Sequence, residues 1–188
     1  MPSLFLALFL AALVVGTAVA PARAEIYDNK SLPFYLQTPN SFAIRPVAAA
    51  GYEVALDIDP VGDFPAKVAD EMRMCILRFK TETSGEPQQS LNRRWTDEAV
   101  LAQARGPVGG LMDVKSEKTF VLADATAGDV VGIEYVGSLR KNPTAVLFMS
   151  LALTPRGRLM MNCLVRDGQA DRAVPMLRSI RDTIRPPK

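Results

Sequence analysis

The stretch 144–166 constrains this chain more than any other. Ala145, Val146, Leu147, Phe148, Met149, Leu151, Ala152 and Leu153 make the first part almost continuously apolar, as a central strand covered on both faces requires. Across 158–166 the apolar residues alternate instead, with Leu159, Met161, Cys163 and Val165 turned inward. Thr154-Pro155-Arg156-Gly157 joins the two runs. It places Pro at the second turn position, where its fixed φ is preorganised, and Gly at the fourth, where a left-handed residue lets the hairpin resume. The spacing predicts a hairpin of 144–153 with 158–166.

Earlier segments read mostly as strands separated by turn residues. Residues 34–37 and 42–45 bracket Thr38-Pro39-Asn40-Ser41, and 52–58 alternates with Tyr52, Val54, Leu56 and Ile58 on one face. Further strands are expected at 72–79, 119–123 and 130–137. Between 88 and 105 the spacing turns helical through Leu91, Trp95, Ala99 and Ala102, with Gly106-Pro107 as the stop and 106–110 as a connector. A shorter helix capped at Thr96, with Asp97 and Glu98 in its first turn, is the alternative start. Trp95 is expected as a core anchor. The segment 171–184 sets Val174, Leu177, Ile180 and Ile184 in one helical stripe that packs across the sheet, with Asp171 as its cap.

Residues 4–20 form an uncharged apolar block ending at Pro21-Ala22-Arg23-Ala24. Small residues before Glu25 predict a cleaved signal peptide over 1–24, leaving 25–188 as a single globular domain. As a helix the block spans only about 26 Å, short of the ~30 Å hydrocarbon core, which argues against an uncleaved anchor, and no stable membrane insertion is expected once it is removed. The protein is therefore expected to be periplasmic or secreted. In an oxidising compartment the two cysteines, Cys75 and Cys163, predict one disulfide.

The chain contains no histidine, which removes Ser-His and Cys-His nucleophile pairs and imidazole-ligated zinc. Asp57-Ile58-Asp59-Pro60-Val61-Gly62-Asp63 puts Pro and Val where a calcium loop needs ligands, and the glycines of 106–110 match no phosphate cradle. No metal and no cofactor is expected. The tyrosines do not interleave with basic clusters, which argues against nucleic acid. For catalysis there remain only carboxylates, among them Glu53, Asp57, Asp97 and Glu134, without a spacing that pairs them.

Charge is uneven. From Thr154 onward eight basic residues stand against Asp167, Asp171 and Asp182, and helical periodicity puts Arg178, Arg181 and Arg185 in one strip. Arg156, Arg158, Arg178, Arg181 and Arg185 are thus the candidate contacts for an anionic protein or envelope component. A solvated helix edge, with arginine stems covering apolar surface, is the bland alternative.

The order of segments, from Phe34-x-x-x-x-Pro39 through the strands and the post-Cys75 helix to the Thr154-Pro155-Arg156-Gly157-Arg158 hairpin and closing helix, resembles the PsbP/Mog1-like family over residues 31–185. The resemblance implies an α+β fold with an antiparallel sheet of about six to seven strands flanked by helices, an α/β/α sandwich. It also implies a binding or assembly role without catalysis, and no functional residue is carried over from it. The leading expectation is an exported accessory protein. The alternatives are an envelope hydrolase using paired carboxylates and a small-molecule carrier.

Overall fold

In a computed structural model of the chain, residues 24–68, 71–123 and 128–187 are described. The expected leader falls, but for Ala24, outside them. Nine strands and three α-helices follow in the order β1 (Glu25–Asn29), β2 (Phe34–Thr38), β3 (Phe42–Pro46), β4 (Val54–Pro60), β5 (Cys75–Thr81), α1 (Gln88–Arg94), α2 (Glu98–Leu111), β6 (Met112–Leu122), β7 (Val130–Leu139), β8 (Asn142–Thr154), β9 (Gly157–Arg166) and α3 (Ala170–Arg181). Strands β1 and β2 form a small two-stranded sheet. The other seven lie in the order β3-β4-β5-β9-β8-β7-β6, every neighbour antiparallel.

That order divides the sheet into two meanders, β3–β5 and β6–β9, which meet only where β5 pairs with β9. Cys75 stands opposite Cys163 on this seam, fully buried, and the two are joined in a disulfide with Cα atoms 4.0 Å apart. The bond therefore ties together parts of the chain 88 residues apart in sequence.

The hairpin expected from sequence is present as β8 and β9, with Thr154 opposite Gly157 and only Pro155-Arg156 between them. Gly157 is required by packing as well: a Cβ there would run into the Lys80 carbonyl oxygen of the neighbouring strand. Because side chains alternate along each strand, the sheet has two distinct faces. On one face Leu56, Leu77, Met161, Cys163, Val146 and Phe148 meet Val174, Leu177 and Ile180 of α3 and Phe34 and Leu36 of β2. On the other, Trp95, Leu101 and Val108 of α1 and α2 and their junction cover Met112, Ile133, Tyr135, Leu147 and Met149.

Five boundaries differ from expectation. Strand β4 begins at Val54, and Tyr52 lies outside it, exposed, just after a left-handed turn at Gly51. Strand β5 begins at Cys75, leaving Met72 exposed in the preceding loop. The single helix predicted over 88–105 is two helices broken after Trp95. Asp97, one residue past the alternative cap, accepts hydrogen bonds from the backbone N–H groups of Ala99 and Val100 and starts α2. The break resets the phase, so Ala99 and Ala102 face solvent while Leu101 and Val108 are buried. Gly106-Pro107-Val108-Gly109-Gly110 is not a connector but the last turns of α2, which runs to Leu111. Burial of Val108 and Met112 against the sheet outweighs the local breaking tendency of Pro107 and the glycines. Strand β6 then starts at once and is longer than predicted, because its exposed charged residues carry no apolar alternation.

Candidate functional site

Helix α1 packs on β7 and β8 and α2 on β6. Among the described residues this leaves the β4, β5 and β9 part of that face without a helix. Ile76, Met160, Asn162 and Leu164 form its floor and are half-buried. At one end a cavity of about 460 Å³ is lined by Met74, Ile76, Leu111, Leu139, Leu147 and Leu164, with Asn162 in its floor and Glu71 and Arg73 at its mouth. The buried Asn162 Oδ1 has no hydrogen-bond partner. At the other end Tyr52, Arg78, Leu151, Arg158 and Met160 line a second concavity.

One wall of this strip is built from charge. Strand register puts Arg45, Asp57 and Ile76 side by side. Asp57, only 5% exposed, pairs with Arg73 at 3.2 Å, Arg78 at 3.5 Å and Arg45 at 3.6 Å. Arg78 is buried too and donates to the Leu56 and Leu77 carbonyls, each at 3.0 Å. Asp59 pairs with Arg45 at 3.3 Å and Lys67 at 2.9 Å and accepts from the Met74 backbone N–H at 2.8 Å. Four cations thus surround two carboxylates, and the wall is net positive. Sequence alone does not show this cluster: there Asp57 is one of several unpaired carboxylates and Asp59 part of a segment unsuited to calcium. Their places on the face opposite Leu56 and Ile58 were readable from the β4 alternation, whereas the arginines that reach them come from β3, β5 and the intervening loop.

The five candidate arginines do not act as one surface. Arg178 donates to Glu134 Oε1 at 3.0 and 2.6 Å and to Oε2 at 3.2 Å, and that carboxylate raises the Arg178 pKa. Arg181, 5% exposed, pairs with Glu134 and with Asp182 and lies 4.2 Å over the Phe120 ring. Glu134 of β7, 2% exposed, draws these two candidate contacts onto the sheet, so the alternative of a solvated helix edge does not describe Arg181. Arg185 is exposed and lies over Tyr35 at 5.4 Å, with which it also exchanges backbone hydrogen bonds. Arg156 is exposed in the β8–β9 turn. Arg158 is exposed at the end of the open strip, 3.4 Å from Glu82.

The candidate carboxylates are dispersed. Glu53 accepts from the Thr81 backbone N–H, which holds its pKa low, Asp97 caps α2, Asp57 lies in the arginine cluster and Glu134 beneath α3. Glu82 is likewise held low by Lys80, and Glu117 by Arg105. A carboxyl working as a general acid needs the opposite displacement. Burial pushes Tyr135 up, and its hydroxyl has no hydrogen-bond partner beneath α2. Among the described residues no group of three or more acidic or cysteine side chains is placed to hold a metal ion, and no helix is long and apolar enough to cross a membrane.

Fold and site together define an α+β antiparallel sheet, layered by helices on both faces, with one face half open. No protein-family model matches the chain, and no curated protein matches it in sequence. Among solved structures it is similar to cyanobacterial PsbP from Synechocystis sp. PCC 6803, at 12% identity over 94% of this chain and 99% of that one, with a TM-score of 0.48. It is also similar to a Mog1 mutant, at 10% identity over 88% and 97% with a TM-score of 0.49. The Saccharomyces cerevisiae Ran-binding protein Mog1p is similar at 11% identity over 87% and 95%, with a TM-score of 0.44. The α+β fold expected from sequence, an antiparallel sheet of about six to seven strands flanked by helices, is present in the structure itself as the seven-stranded sheet with helices on both faces.

Proposed function

We propose that this chain is an exported accessory protein without catalytic activity, which recognises an anionic protein or envelope component through the open half of its sheet face. What carries this reading is the strip over β5 and β9: half-buried apolar residues lie uncovered beside a net-positive wall. Apolar floor and charged rim are the division found in recognition surfaces, where the floor supplies affinity and the rim steers encounter. Arg158 at the end of the strip keeps part of the arginine-rich segment in this role. The uncharged block 4–20 and the buried disulfide support export to an oxidising compartment. The dispersal of the four candidate carboxylates speaks against the hydrolase alternative.

The test is capture from an envelope extract by the immobilised mature protein starting at Glu25. Retention of one acidic protein or envelope component at low salt, lost at high salt, is expected. An extract that leaves nothing behind beyond a bait-free control, but is itself hydrolysed on incubation, would overturn the reading. Intact mass of the exported protein tests the leader, and retention of residues 1–24 contradicts it.

A further inference from the structure

Resting on that reading, we infer that the strip over β5 and β9 receives one amphipathic α-helix of a partner protein, apolar stripe on Ile76, Met160 and Leu164 and acidic flank toward Arg45, Arg73 and Arg158. Backbone chemistry selects the helix. Strands β5 and β9 lie inside the sheet, with β4 and β8 on their outer sides, so their backbone groups are committed to neighbours. An occupant lying on such a face must satisfy its own N–H and C=O groups, which a helix does and an added strand does not. Dimensions agree: the six residue steps from Arg158 to Leu164 cover about 20 Å, or about four helical turns, and β9, β5 and β4 at about 4.8 Å spacing give the roughly 10 Å width one helix needs.

Charge selects among helices. Arg45 is 62% exposed, Arg158 53% and Arg73 38% at the side chain, so the rim presents cations to an incoming flank. A second copy docked on the same face would set that rim against itself. The chain's own block 4–20 has no acidic residue to offer. A lipid bilayer is flat, whereas Met160 and Leu164 are half-buried and each lines a concavity.

The test places a photoreactive benzophenone amino acid at Met160 in the full exported chain, and at the exposed edge residue Val121 as control. Irradiation of cells is expected to yield an adduct from position 160 and none from 121. The cross-linked partner peptide should carry apolar residues at i, i+3 or i+4 and i+7 with Asp or Glu beside them. Arg158→Glu, at an exposed position, should cut the adduct by about fivefold, and Arg45→Glu should do the same, with unchanged circular dichroism confirming the fold of each. An adduct with a second copy, with phospholipid, with residues 4–20 or with a basic or extended segment overturns the inference, as does no adduct at 160. A partner captured from envelope extract yet cross-linked only from 121 overturns the helix while leaving the accessory role standing. Absence of a partner in both experiments removes both.

Discussion

Arg181 holds its guanidinium below the surface, against Phe120 and paired with Glu134, so its removal leaves a buried carboxylate short of a partner. Arg181→Gln should therefore cost about 3–5 kcal/mol in urea unfolding. Arg178→Gln should cost less, because Arg178 is partly solvated and Arg181 remains. Arg156→Gln, in an exposed turn, should stay within about 0.5 kcal/mol of the parent. Helical periodicity alone placed Arg178, Arg181 and Arg185 beside the apolar stripe of α3. It carried no information on Glu134, more than forty residues away, although a lone acid amid Val130, Val131, Ile133, Tyr135 and Val136 was the available signal.

A second residue-scale expectation concerns acid. Arg105 donates to both Glu117 oxygens, at 2.8 and 2.7 Å, and holds that carboxyl below its ordinary value of 4.5. A carboxyl with a lower pKa when folded contributes stability above its unfolded pKa and loses it as pH falls through the folded one. The urea midpoint should thus fall below about pH 4.5, and Glu117→Gln should flatten that fall. An unchanged slope in the variant contradicts the pairing.

Among the elements, α2 is held by its cap and by burial in spite of its composition. Asp97→Ala should cost about 1 kcal/mol in a thermal melt, through loss of the acceptor for Ala99 and Val100. Gly109→Ala and Gly110→Ala should each stabilise by about 0.4–1 kcal/mol, because both sites are helical and a Cβ there meets nothing within 4 Å. Losses instead of gains would mean that the α2 C-terminus is not helical in solution. The hairpin of β8 and β9 was legible because burial pattern and turn chemistry agreed. The end of α2 was not, since tertiary burial of Val108 and Met112 overrode Gly-Pro-Val-Gly-Gly. Strand β6 was legible only at its Phe120 and Leu122 end, where inward residues are apolar.

At the scale of the molecule, the disulfide spans the one seam between the two meanders. Replacing Cys75 and Cys163 together with Ala should cost about 4 kcal/mol on the chain-entropy account, read as a shift in denaturant midpoint. The pairing was legible from the count of two cysteines and the oxidising compartment that the apolar leader predicts. Which face of the sheet stays open was not, because it depends on where α1 and α2 come to rest.

The open face is the central claim, and capture of the proposed partner from envelope extract by two variants tests it most directly. Ile76→Glu puts a charge into the apolar floor, while Arg156→Gln with Arg185→Gln alters the arginine-rich end outside the strip. With the fold of both verified by circular dichroism, Ile76→Glu should lower retention by about tenfold or more, equivalent to ~1.4 kcal/mol, and the arginine pair should leave it within about twofold. Retention preserved in Ile76→Glu but lost with Arg156 and Arg185 would contradict the account and move the binding surface to the C-terminal end.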